Sequence, residues 1–296
     1  RNVWDFRIEQ YLYRQFRPTE IASFGGDLIR ARAFAEEPGS FALFTNTLAP
    51  VAVLGMLRWH SKRYAVLLVT LAVAALAVSF SAGGVVGIVI GLSAGGLVYV
   101  TRAKVKWFAI NRLVFIVLFV LPAIVIVVMS AGDFFDPLAA KITFQSPVVQ
   151  EHRVDRWATG VALFYEEPIL GHGFGSNWIL NDGVSFINWY VDILVETGLV
   201  GFVLMWIFLG VTLFRAYRLA SNAAPFYVAG LVAALVQYVG VSTFWYPWLW
   251  FLVILIRHEE REERRERMAA SAAALDTGSG HERCPAITAP TAGRPS

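Results

Sequence analysis

Long apolar runs alternate along the chain with short polar breaks. Runs at 41–57, 64–80, 83–100 and 113–131 each come near the roughly 17–25 residues an α-helix needs to cross a bilayer's hydrocarbon core. Polar residues dominate from 132 to 187, and three further runs follow at 190–214, 225–244 and 247–256, the last one short. The pattern predicts an all-α, polytopic transmembrane helical bundle of about seven spans with one large loop. It divides the chain into a charged segment 1–40, spans within 41–131, a loop 132–187, spans within 188–256 and a tail 257–296.

Basic residues orient these spans. Arg58, Lys62 and Arg63 separate the first pair, and Arg102, Lys104, Lys106 and Arg112 separate the third from the fourth. Arg215 and Arg218 follow the fifth, and Arg257 opens the tail. All fall on one side in strict alternation, and lysine and arginine mark the cytoplasm. The other side then receives 1–40, the turn at 79–84, the loop 132–187 and 242–247. In the tail, 257–268 reads as an Arg/Glu-rich helix, and the Gly/Ser/Pro/Thr-rich end reads as disordered.

Composition agrees with the pattern: 57% of residues are hydrophobic and 16% charged, which is an integral-membrane balance. The net charge of +3 is small, and the single cysteine, Cys284, rules out an intramolecular disulfide. The chain opens with Arg1, so we expect it to be the C-terminal part of something longer.

Three groups of residues could carry chemistry. Arg153 and Arg156 lie three apart on a predicted helix whose apolar face holds Val154, Trp157, Val161 and Tyr165, the form of a helix lying at a membrane interface. Guanidinium pairs grip phosphate oxygens, although ordinary headgroup contact is an equally good explanation. Arg30, Arg32, Glu36 and Glu37 precede a Pro38-Gly39 turn, a charged cluster or a plain loop-to-helix junction. Asn188, Asp192 and Glu196 recur every four residues at the head of the fifth span. Ionisable groups within a span are costly and point to a function or to a structural ion pair.

Gly198 and Gly201 read as packing glycines that let a neighbouring helix approach. Gly171-His172-Gly173-Phe174-Gly175 reads as a flexible outward turn, and His172 or His152 could serve as a base. No HExxH or Cys/His spacing supports a metal site, and no nucleophile elbow supports a hydrolase. No cofactor is implied.

In this order the residues resemble the O-antigen ligase/polymerase superfamily of bacterial membrane glycosyltransferases, over most of 30–256. Arg153, Trp157, Pro168, Gly171 and Gly173 match its outer-loop pattern. Asn188, Leu194, Glu196, Gly198 and Gly201 match its following helix, and Arg32 with Glu37-Pro38 matches an upstream pattern. The resemblance implies a GT-C-like fold in the bacterial cytoplasmic membrane. It also implies a polyprenyl-diphosphate-linked glycan as donor and a glycan or lipid as acceptor, with no nucleic acid.

Under it Arg153, Asp192 and His172 are the expected catalytic residues. Arg156, Arg32, Arg30, Glu37, Trp157, Asn188 and Glu196 are expected to bind substrate. Ile187 stands where the family has a histidine, and Ala82 where it often has an arginine. Another residue therefore substitutes (His172, His152 or Asp192 for the base; Arg30, Arg32 or Arg156 for the cation), or the chain is a silent binder. A transporter ranks last, because paired interrupted helices in two related halves are not visible.

Overall fold

The computed structural model describes residues 38–79, 81–102, 153–180, 185–220, 222–242 and 246–279. Its regular elements among these residues are helices only: α1 (Pro38–Trp59), α2 (Lys62–Ser79), α3 (Ala82–Arg102), α4 (Asp155–Glu166), α5 (Ser176–Leu180), α6 (Trp189–Arg218), α7 (Ala224–Gln237) and α8 (Trp248–Ser279). Four of them, α1, α2, α3 and α6, are long and apolar enough to cross a membrane. The predicted span at 113–131, the charged segment with Arg30, Arg32 and Glu37, and His152 lie outside the described residues.

Two predicted spans take a different form. Among the described residues the run at 225–244 is helical only over α7, 14 residues that end at Gln237. That is about 21 Å of helix, short of the roughly 30 Å hydrocarbon core. The run at 247–256 is the head of α8, a 32-residue helix that passes the expected boundary at 256 without a break.

The helix starts follow from local chemistry. Pro38 opens α1, where its missing N–H costs nothing. Ser81 caps α3 by accepting a hydrogen bond from the Gly84 amide at 3.1 Å. Asn188 caps α6, its Oδ1 accepting from the Tyr190 and Val191 amides at 3.0 and 3.3 Å.

The core forms around α7, which packs against α1, α3, α6 and α8. Leu231, Ala233 and Ala234 are fully buried, as expected of a helix that is apolar all round. Its seam with α3 is built from small residues. A Cβ added at Gly91 would lie 2.5 Å from the Ala229 carbonyl oxygen, and one at Gly95 2.5 Å from that of Pro225. Backbones this close gain dispersion contact that larger side chains would prevent. One buried amide network crosses the core: Asn46 Nδ2 donates to Gly84 O (2.7 Å) and Gln237 Oε1 (2.9 Å), and Gln237 Nε2 donates to Gly39 O (2.7 Å). By contrast α2 packs on α1 and leaves Leu67 and Leu71 exposed, the character of a lipid-facing helix.

At one end of the bundle the basic residues gather. Arg58 pairs with Glu259 of α8 at 2.7 Å, and Arg215 with Glu260 at 3.1 Å. Arg102 Nη1 donates to the carbonyls of Tyr217 and Leu219 at the end of α6, where a cation also suits the helix dipole. The opposite end collects the start of α1, the α2–α3 turn, the end of α7, the start of α6, and α4.

Candidate functional site

The site is built where α4 and the segment 167–177 meet the first turns of α6. α4 crosses α6 at Gly160, where a Cβ would run into Val191. Phe186, Val191 and Val195 form a small apolar core there, packed against Leu163 and Phe164. The outward surface of the same region is apolar: Tyr165, Leu170, Phe174 and Ile179 are between 72% and 83% exposed.

The central feature is a break in α6. Gly198 has φ 61° and ψ −166°, a conformation open essentially only to glycine. Such a break frees backbone groups that must be satisfied by something else, and the segment 168–173 supplies the partners. His172 N donates to Val195 O and Gly173 N to Glu196 O, both at 2.9 Å, satisfying the end of the first half-helix. Leu199 N donates to Pro168 O (2.9 Å) and Val200 N to Ile169 O (3.2 Å), satisfying the start of the second. The fit leaves no room: a Cβ at Gly171, itself at φ 70°, would lie 2.5 Å from Gly198 N.

This arrangement corrects two sequence readings. The glycine turn is fastened by its own backbone to α6 rather than free. Gly198 admits a loop backbone, not a neighbouring helix. Gly201 makes room for Thr197 of its own helix, whose hydroxyl donates to Ile193 O at 2.8 Å.

The joint sets two carboxylates one turn apart. Asp192 is 4% exposed and Glu196 7%. Asp192 accepts from Asn177 Nδ2 at 3.1 Å and from the Phe186 amide. Glu196 Oε1 accepts from the Gly175 amide at 3.1 Å. Ser176 Oγ and Asn177 Oδ1 are buried beside them with no protein hydrogen bond. Sequence reasoning named Asp192 and Glu196 but missed Ser176 and Asn177. The signal open to it was a Ser-Asn pair immediately after a glycine-rich turn.

Arg153 lies in a second neighbourhood, at the link from α7 to α8. Its guanidinium packs on Gly240, so a Cβ there would lie 2.8 Å from Nη1. The same link holds the start of α6: Trp189 N donates to Tyr238 O at 3.1 Å, and the Ser185 and Ser242 hydroxyls are hydrogen-bonded. Arg156 Nη1 donates to Ser185 O at 3.4 Å, on the strip leading into α6. Trp157 is partly buried on α4.

The remaining predicted site residues divide between the neighbourhoods. The Asn188 side-chain oxygen is occupied in capping α6. His172 Nε2 donates to Leu163 O at 2.9 Å, which leaves Nδ1 as the basic atom of the neutral ring. Ile187 adopts φ 55°, an outlier for a β-branched residue. Among the described residues no group of three or more His, Cys, Asp or Glu side chains could hold a metal.

Residues 65–206 match the family model described as O-antigen ligase. The match runs from the start of α2 past the break in α6 and includes Arg153, His172, Asp192 and Glu196. No curated protein and no solved structure matches the chain.

Proposed function

Because this multi-pass membrane protein carries an O-antigen ligase domain, we propose that it transfers a glycan from a polyprenyl-diphosphate carrier to an acceptor hydroxyl. The bundle end opposite Arg58, Arg102 and Arg215 faces outward from the cytoplasmic membrane, following the bias of basic residues to the inside. The exposed Tyr165, Leu170, Phe174 and Ile179 rest in the outer leaflet, beside the carrier's isoprenoid chain.

In the reaction the acceptor oxygen attacks the anomeric carbon, the bond from that carbon to the diphosphate breaks, and polyprenyl diphosphate leaves. Arg153 stabilises the charge that grows on the leaving oxygens, with Arg156 behind it. Asp192 takes the hydroxyl proton, oriented by Asn177 and the Phe186 amide, and Glu196 holds the Gly173–Gly175 turn in register. His172 positions the turn through Leu163 O. The carrying observation is the joint itself: two segments of the matched domain interlock at Gly198 and gather Asn177, Asp192 and Glu196 in one buried cluster.

The test is purified protein with lipid-linked glycan and acceptor, with free polyprenyl diphosphate as the readout. Arg153→Ala is expected to lower transfer by at least about a hundredfold while the protein elutes and melts like the parent. Full activity in that variant removes the arginine from the mechanism.

One observation favours a second reading, a silent relative that binds lipid-linked glycan without turnover: Ile187 occupies the family's histidine position. Glycan binding by the parent with no release of polyprenyl diphosphate decides for it.

A further inference from the structure

Within 257–267 five arginines and five glutamates cancel in charge, so composition gives the tail no preference for any partner. The helix separates them. At 100° per residue, Arg257, Arg261, Arg264 and Arg265 fall within about 100° of arc, and Glu259, Glu262, Glu263 and Glu266 fall opposite. The bundle takes up Glu259 and Glu263 of that face, while Glu262 pairs with Arg265 of the same helix and Glu266 stays exposed. Glu259 pairs with Arg58 at 2.7 Å and lies 3.4 Å from the Tyr227 hydroxyl, and Glu263 accepts from the Ala220 amide at 2.6 Å. Glu260, at the edge of that face, pairs with Arg215 at 3.1 Å.

The arginine face points away. The Arg264 and Arg265 side chains are 72% and 71% exposed; Arg257 and Arg261 are also exposed and form no ion pair among the described residues. Arg264 and Arg265 hold only near neighbours on their own helix, Glu260 at 2.8 Å and Glu262 at 2.7 Å, and such pairs are weak.

We propose that this arginine face of α8 binds the anionic headgroups of the phospholipids surrounding the bundle. The occupant follows from charge and from depth. Arg257 comes directly after the apolar run 248–256, and the pairs to Arg58 and Arg215 hold the first tail turn level with the ends of α1 and α6. From Arg257 to Arg265 the helix rises only about 12 Å. The headgroup layer is about 6 Å deep on each side, so Arg257 and Arg261 stand in it. Arg264 and Arg265 reach back to it by the length of a flexible stem. A neutral segment thereby presents an excess of arginine at the membrane boundary, because the bundle engages Glu259, Glu260 and Glu263 and leaves the arginines outside.

The test uses the full chain in nanodiscs of phosphatidylcholine alone or mixed equally with phosphatidylglycerol, at one protein per disc and low salt. Amide hydrogen exchange over 257–271 is the readout. We expect exchange to slow by about tenfold in the anionic discs, the difference vanishing at 1 M salt and in R257Q/R261Q/R264Q/R265Q. R257Q/R261Q alone, which leaves every ion pair among the described tail residues in place, should halve the effect or more. Equal exchange in both discs overturns the proposal, as does a difference that persists in the fourfold variant. Slowing that needs two copies per disc overturns it in favour of a second chain on this face. Glycan transfer is not read, so the outcome is independent of the proposed reaction.

Discussion

The two ends of the bundle use polar groups in opposite ways. At the basic end three charges meet a counterpart at the surface: Arg58 with Glu259, Arg215 with Glu260, Arg102 with the last carbonyls of α6. At the other end a group of polar side chains is sunk into the protein, with Asp192 and Asn177 at 4% and 5% exposure. Several are incompletely matched there, Ser176 Oγ and Asn177 Oδ1 among them. Surface pairs contribute little each and tolerate loss, whereas buried polar groups are costly unless something engages them. One end is a fastening; the other carries the site proposed for the reaction.

The largest effect that would separate the ends is at the joint. Gly198→Ala adds a Cβ against the Ile169 carbonyl and strains a backbone at φ 61°. We expect a loss of about 3–4 kcal/mol, read as a lowered melting temperature and as new proteolysis between 168 and 175. Gly173→Ala is the internal comparison, with φ 96° but nothing within 4 Å of the added atom, and should cost only about 1 kcal/mol. Equal losses in the two would show that conformation alone, and not the interlock, requires glycine at 198.

Next in size is Asn177→Asp. It keeps the side chain's shape, removes the donor to Asp192 Oδ1 and sets a second carboxyl beside it. A buried acceptor deprived of its partner costs about 1–3 kcal/mol. If Asp192 is the base, the variant also moves the pH profile of glycan transfer at constant protein fold. A profile that stays in place confines Asn177 to packing.

Much of this contrast was legible in the sequence, but only in pieces. The apolar runs located α1, α2, α3 and α6, because period and length are local properties. The carboxylates at 192 and 196 stood out for the same reason: ionisable groups in an apolar run are conspicuous. The joint was not legible. Pro168-x-x-Gly171-x-Gly173 and Glu196-x-Gly198 are separated by more than a dozen residues, and nothing local says that one backbone completes the other. The α3–α7 seam went unread, although Gly83, Gly87, Gly91 and Gly95 recur every four residues, a small-residue pattern of known meaning. Its partner on α7 could not be read, because alanines at 229 and 233 look like any apolar helix. The run 247–256 and the helix 257–268 were read as separate elements, because charge after Ile256 signals the end of a span and not the end of a helix; they join in α8, which runs on to Ser279.

At the basic end the effects should be smaller. Glu259→Gln removes the pair to Arg58, whose two side chains are 31% and 15% exposed. About 1 kcal/mol is expected, seen as faster amide exchange over 257–263 with transfer activity unchanged. A loss as large as that at Gly198 would break the comparison, because the fastening would then be as demanding as the site.

The smallest effect is a pH response of the neighbouring pair, Glu260 with Arg215. Burial raises the Glu260 carboxyl, but the hydrogen bond from Arg264 and the charges of Arg215 and Arg264 together outweigh it, leaving the group below its ordinary value. A carboxyl depressed in the folded protein stabilises the docked tail at every pH above its unfolded value of about 4.3. That contribution fades as pH falls through the lower, folded value. Protection of 257–263 should therefore be flat from neutrality to about pH 5 and decline only below the ordinary carboxylate range, by a few tenths of a kcal/mol for a pair of this exposure. Glu260→Gln should abolish the decline attributable to this pair and leave the protection at its acid level throughout. Protection that instead falls between pH 7 and 6 would show that the tail is held by a group that the ion pairs to Arg58 and Arg215 do not include.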